Sequence, residues 1–219
     1  MTKEATTEVI MIPLLPGLDL DTGGAKEIWD STLSTIADQP GYQKIFYGRQ
    51  VEHPDTLQMC IDWDSLASHR AFEASPAYGP FIESVEKLVA GGPTVYHTTM
   101  PLTTPFAGPA TAPTTELVSL YFELSYPQAD FDASWAEFAR LCNENAKGFH
   151  GCAGGWSIEE VEREDTEGGK ARVFLAALGW DSVEAHMAFR ETPTFKGAIP
   201  LLRGGTKAIE VHHVKFRPY

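Results

Sequence analysis

The stretch Trp63-Asp64-Ser65-Leu66-Ala67-Ser68-His69-Arg70-Ala71-Phe72-Glu73-Ala74-Ser75-Pro76-Ala77-Tyr78 returns 117 positions later as WDSVEAHMAFRETPTF, from Trp180 to Phe195. Seven of the sixteen positions are identical, and Leu66/Val183, Ser75/Thr192 and Tyr78/Phe195 are conservative exchanges. Self-similarity over this distance makes the chain two copies of one unit. Downstream, Leu88-Val89-Ala90-Gly91-Gly92 answers Leu201-Leu202-Arg203-Gly204-Gly205, and Val95-Tyr96-His97 answers Val211-His212-His213. Upstream, Gly41-Tyr42 answers Gly148-Phe149, Trp29 answers Trp135, and Glu8-Val9-Ile10 answers Glu116-Leu117-Val118. The main insertion is the polar run from Glu162 to Gly169, which reads as a longer hairpin loop.

Each copy carries the same succession of patterns. An apolar strand opens it (Val9 to Leu14; Leu117 to Leu124), two-sided in the second copy. A helix follows; Phe131, Trp135, Phe138 and Cys142 recur at spacings of four, three and four, which makes one apolar stripe. A hairpin comes next, near Ile45–Val51 and Leu57–Trp63, and near Gly155–Val161 and Ala171–Trp180. The Trp-Asp-Ser motif then opens a second helix. Asp181 with Glu184 has capping-box spacing, and Asp64 or Ser65 can cap the first copy. Pro76 and Pro193 break that helix, and a short helical segment and a last strand close the unit. The order β-α-β-β-α-β is ferredoxin-like. Residues 1–100 and 115–219 are expected to be the two repeats. Between them, 101–114 is rich in Pro, Thr and Ala and reads as an extended linker without a core of its own.

The composition sets outer bounds. The 219 residues are 43% hydrophobic and 11% aromatic, enough to bury a core rather than remain disordered. A net charge of −13 repels phosphate at long range, and no basic cluster marks a nucleic-acid face. No secretory leader pattern opens the chain and no apolar run approaches ~18 residues, so a cytoplasmic protein without a membrane partner is expected. Cys60, Cys142 and Cys152 are odd in number with no CxxC pair, and read as reduced, mostly buried thiols. None of the glycine pairs forms GxGxxG or a P-loop, so no nucleotide cofactor is expected.

A unit of about 100 residues with this order and a strand–WxS–helix–[ST]PxF/Y second half resembles the dimeric α+β barrel superfamily, and within it the antibiotic-biosynthesis-monooxygenase-like family. The resemblance covers both copies. It implies an α+β fold in which two ferredoxin-like repeats form, within one chain, the barrel that the superfamily builds from two chains, as a monomeric pseudo-dimer or a homodimer of it. It also implies a ligand cleft between helix and sheet. The fold serves quinone-forming monooxygenases, haem-degrading enzymes, polyketide cyclases and lyases, and non-catalytic stress proteins. Haem-degrading members resemble this sequence around a Trp and a ligating His, but those positions here hold Phe72 and Phe189, and Ile82 and Ile199. Many monooxygenase-like members carry His where Phe72 and Phe189 stand. Plant cyclases carry Pro-x-His where this chain has Pro76-Ala77-Tyr78.

This chain instead has His69 and His186, one helical turn before the two phenylalanines and on the same helix face. Histidine titrates near working pH, as a general acid or base must. His69 and His186 are therefore the expected proton-transfer groups, with Tyr47 or Tyr78 as hydrogen-bond partner to a substrate oxygen. Trp63, Phe72, Tyr121, Trp156, Trp180 and Phe189 are the expected aromatic walls, and His97 and His213 a second, strand-borne pair that would meet substrate. No HxxxH or HxH spacing puts two ligands on one face, so no metal is expected. Ser65 and Ser182 read as helix caps, not nucleophiles. These residues suit a cofactor-independent enzyme acting on a small hydrophobic, aromatic or polyketide-like molecule by proton transfer, of cyclase or lyase type. The same apparatus suits a cofactorless quinone-forming monooxygenase. A non-catalytic small-ligand-binding or stress-related protein is the reading from a different class. Tyr78, against Phe195, favours the first copy as the working one.

Overall fold

In the computed structural model, residues 6–219 are described, and the chain divides into two compact units: one runs to Thr99 and regains Lys215–Tyr219, the other is Met100–Val214. The first contains β1 (Thr6–Pro13), α1 (Gly23–Ala37), β2 (Tyr42–Arg49), β3 (Thr56–Trp63), α2 (Leu66–Glu73), α3 (Tyr78–Val85) and β4 (Thr94–Thr99). The second contains α4 (Ala107–Ala110), β5 (Thr114–Phe122), α5 (Gln128–Asn145), β6 (Phe149–Trp156), β7 (Val161–Glu162), β8 (Lys170–Trp180), α6 (Val183–Arg190), α7 (Pro193–Arg203) and β9 (Thr206–Val214). The last strand, β10 (Arg217–Pro218), pairs with β2, and Arg217 binds Asp21 at 2.6 Å.

All pairings are antiparallel. The strand orders are β10-β2-β3-β1-β4 and β6-β8-β5-β9, with β7 paired to β8 alone. Leaving aside β10 and β7, both orders are ferredoxin-like, with the first strand of each unit between its third and its last. That central place decides the site. Glu8 on β1 stands opposite Ile61 on one side and His97 on the other, and Glu116 on β5 stands opposite Leu178 and His213.

The period-two pattern of the strands sorts their side chains. In the first unit Ile10, Ile12, Ile61 and Trp63 meet Trp29, Leu33 and Ile36 from α1 and Phe72 from α2 in one buried cluster. In the second, Val118, Leu120 and Phe122 meet Phe131, Phe138 and Cys142 from α5. Each such side chain contributes roughly 1.5–3 kcal/mol when fully buried. Glu8 lies two residues before Ile10, and Glu116 two before Val118, so the strand alternation drives both carboxylates under the helices.

Several sequence expectations are revised. Strands start or stop a few residues away from their expected limits, as at Tyr42–Arg49 and Phe149–Trp156. In the second copy the helix cap is Ser182 and not Asp181. Ser182 caps α6 through the Ala185 N–H, as Ser65 caps α2 through Ser68, while Asp181 meets His150 at 2.6 Å. Residues 101–114 do not form an extended linker. Phe106, Pro109 and Ala110 are buried, α4 packs on β6 and β8, and the Thr115 hydroxyl donates to the Pro109 carbonyl. The apolar side chains in that Pro-rich stretch suffice to dock it. Finally, α7 runs unbroken to Arg203, and Ile199, Leu202 and Arg203 occupy the cavity positions that Ile82, Val85 and Glu86 hold in the first unit. The offset of 117 thus persists beyond Phe195, and Leu201–Gly205 is not the counterpart of Leu88–Gly92.

Candidate functional site

In each unit the motif strand ends in Trp, the next helix starts at a Ser cap, and four residues beyond that cap a His faces the sheet. Trp63 donates its indole N–H to Oε2 of Glu8 at 2.9 Å and stacks on His69, with ring centroids 5.1 Å apart. The Nε2 atom of His69 lies 3.5 Å from Oε1 of the same carboxylate, and its Nδ1 is 2.7 Å from Nε2 of His97. The second unit repeats this arrangement. Trp180 donates to Glu116 at 3.0 Å, His186 Nε2 lies 3.4 Å from Glu116, and His186 Nδ1 lies 2.8 Å from His213 Nε2.

These groups are out of water: Glu8 is 5%, His69 4% and His97 2% exposed. Burial of an isolated carboxylate costs several kcal/mol, and the donors around Glu8 offset that cost. They also order the protons. With Glu8 ionised, Nε2 of His69 carries the proton that faces it, Nδ1 is left to accept, and His97 Nε2 donates.

The chain of groups ends at a cavity. In the first unit a space of about 290 Å³ between sheet and helices is lined by Glu8, Trp63 and His69 together with Trp29, Phe72 and Tyr78 and by further aliphatic side chains. Tyr78 and Trp29 add polar atoms to its walls, beside Thr32 and Glu86. Burial, reinforced by the charges of Glu73 and Glu8, raises the Tyr78 hydroxyl above its ordinary pKa and keeps it a proton donor. Trp29 is only 3% exposed, and its indole N–H has no hydrogen-bond partner in the protein. A buried donor left without an acceptor costs about 1–3 kcal/mol, and a ligand oxygen would recover it. The second unit has its own cavity of about 250 Å³, lined by Glu116, Trp180, His186 and Phe189, with Phe195 where the first has Tyr78.

The expected site residues therefore divide. His69, Tyr78, Trp63 and Phe72 line one cavity, and His186, Trp180 and Phe189 the other. His97 and His213 stand behind their partner histidines and are not among the lining residues. Tyr47 packs edge-on against Trp29 at 5.4 Å but does not reach the wall. Tyr121 donates to Glu210 at 2.8 Å beneath the Arg163 guanidinium, and Trp156 donates to Asp132 at 2.8 Å; neither lines the cavity. Burial raises all three thiols, Cys152 to about 11.

Sequence reasoning missed Glu8, Glu116 and Trp29. The signal was there: both glutamates immediately precede stretches that read as apolar strands, and both occupy the same repeat position. Tertiary structure also brings together a set that no sequence spacing announced, since Glu8, His69 and His97 each place one ligand atom within 4.8 Å of the others. Two nitrogens on one tetrahedral cation at about 2.0–2.1 Å would lie roughly 3.3 Å apart. At 2.7 Å the two histidines are hydrogen-bonded, and a cation would have to part that bond.

No protein-family model and no curated protein matches the sequence. Among solved structures, an anthrone oxidase-like protein superposes with a TM-score of 0.72 at 16% identity over 99% of this chain and 93% of its own. A candidate monooxygenase from Lactobacillus acidophilus does so at 0.61 and 12% identity over 97% and 94%. One from Fusobacterium nucleatum does so at 0.59 and 9% over 99% and 94%. At such identities the likeness is one of fold: the chain has the two-repeat α+β architecture of these structures.

Proposed function

We propose that the first unit catalyses cofactor-independent oxygenation of a small, flat, phenolic or anthrone-type molecule, starting from proton abstraction in the Glu8–His69 cavity. The observation that carries this reading is the buried Glu8–His69–His97 chain, whose base, the Glu8 carboxylate faced by the His69 Nε2–H, opens on an apolar space. A dry, apolar wall strengthens each charge interaction made there. Trp29 N–H and Tyr78 O–H suit the substrate oxygen on which negative charge gathers when the adjacent C–H or O–H proton leaves. The resulting anion is electron-rich enough to react with oxygen directly. For a methylene substrate, O2 adds at the carbanion carbon to give a hydroperoxide. Loss of water from it, taking the second C–H hydrogen and cleaving O–O, leaves a carbonyl. One O2 is consumed and one water formed. The name of the anthrone oxidase-like protein of the same fold supports this substrate class.

The test is to incubate the protein with anthrone and with phenolic polyketides, following oxygen uptake and quinone absorbance. Oxygen-dependent turnover that falls at least tenfold in Glu8→Gln and in His69→Phe is the expected result. Turnover at an undiminished rate without oxygen would replace this reading with a cyclase or lyase using the same base. Turnover unchanged in both variants would remove the site.

A further inference from the structure

The two cavities share their buried end but not their open one. At the constant offset of 117, Glu73 and Glu86 of the first unit become Arg190 and Arg203 in the second. Glu86 lines the first cavity, whereas Arg190 and Arg203 both line the second. Glu73 is held by Arg70 at 2.7 Å, and Met187 stands in place of that arginine. Both arginines of the second cavity are exposed at the ends of α6 and α7, on the solvent side of the buried Glu116, Trp180 and His186. Among the described residues neither is paired with a carboxylate. The Arg190 guanidinium makes only a 3.7 Å contact with the Met187 sulfur and lies 6.0 Å from the Phe195 ring centroid.

We infer that the cavity of the second unit binds an amphipathic organic anion, a flat aromatic carboxylate, with its rings against Trp180, Phe189 and Phe195 and its carboxylate toward Arg190 and Arg203. The acid at the buried end does not oppose this, because Trp180 donates to Glu116 and His186 faces it. At physiological salt charges more than about 8 Å away are largely screened, so most of the net charge of −13 acts weakly at the opening. Guanidinium groups suit carboxylate because their forked N–H donors match its two oxygens. Loss of the Tyr78 hydroxyl at Phe195 fits the same division, with a donor to a neutral oxygen in one cavity and cations for a full charge in the other. The duplicated unit has thus diverged into two ligand sites of different charge preference.

The test is equilibrium binding by fluorescence, with anthracene-9-carboxylate as the anionic probe and 9-anthracenemethanol as its neutral match, on the intact protein. The carboxylate should bind, and Arg190→Ala with Arg203→Ala should weaken it about tenfold, the size expected of two solvent-exposed ion pairs together. Affinity for the alcohol should change less than about twofold in that variant. To locate the site, Ile199→Trp, which fills the second cavity, should abolish carboxylate binding, and Ile82→Trp, which fills the first, should leave it intact. No carboxylate binding, equal losses for both probes, or loss in Ile82→Trp in place of Ile199→Trp would overturn the inference. Binding is read without turnover, so failure of the oxygenation reading leaves this test intact.

Discussion

His69 and His97, from α2 and β4, share a hydrogen bond of 2.7 Å beneath the helix layer, and its counterpart between His186 and His213 is 2.8 Å. In each pair the strand histidine satisfies the ring nitrogen that the cavity histidine turns away from its glutamate. His97→Phe should therefore strand Nδ1 of His69 in a buried place and cost about 1–3 kcal/mol. Chemical denaturation measures this, and His97→Gln, which restores a donor, should recover part of the loss. Equal stability of wild type and His97→Phe would mean that the pair contributes nothing.

The Glu8 carboxylate and the His69 N–H that faces it act as one unit, with Glu8 as the base, so their replacements should not add. A positioned general base contributes about 10²–10⁴-fold. Glu8→Gln and His69→Phe should each lower kcat by about 10²-fold or more, and the double variant should be little slower than the worse single one. Multiplicative losses in oxygen-uptake assays would show two independent roles.

Tyr78 offers its hydroxyl to the charge that develops on substrate oxygen. Tyr78→Phe should lower kcat about tenfold or more and leave unfolding unchanged, because the ring keeps its edge-on contact with Phe72 at 5.2 Å. A rise in KM alone, at constant kcat, would assign Tyr78 to ground-state binding.

Asp62 supplies a pH-dependent test of stability. Burial raises its carboxyl pKa above the ordinary value of 3.8, against the opposing effects of the Thr7 hydroxyl and Lys44. The folded protein therefore holds that proton more tightly than the unfolded chain, so this contribution favours the fold at low pH and is lost as pH rises through the folded value. Asp62→Asn, which can still accept from Thr7, should be more stable than wild type near pH 8 and lose that advantage near pH 4. A stability difference independent of pH, followed by urea denaturation, would count against the shift.

Gly41 precedes β2 at φ +89°, and a Cβ there would come within 2.3 Å of the Ser68 Cβ. Gly41→Ala should cost about 2 kcal/mol or more, whereas Gly17→Ala, at φ +69° with open space around it, should cost about 1 kcal/mol. Calorimetry on the two variants separates the steric contribution from the conformational one.

The sequence alone settled the architecture, because duplication displays each packing decision twice. A Trp, a Ser cap and a His at fixed spacing, repeated at an offset of 117, define a strand, a helix and the face that helix buries. Local periodicity is enough for that, since a pleat alternates every two residues and a helix face returns every three or four. It was enough, too, to aim His69 and His186 at the cavities. Tertiary structure decided what those histidines touch. Glu8 sits 61 positions before His69, and His97 sits 28 after it, and only the central place of β1 between β3 and β4 brings the three within hydrogen-bonding reach. The same holds for the aromatic residues. Tyr47 read from sequence as a partner to substrate, and Tyr121 and Trp156 as members of a cavity wall, yet each lies outside it, because their strand positions turn them toward Trp29, Glu210 and Asp132. Which buried polar groups find one another depends on strand order, and strand order is a property of the whole sheet.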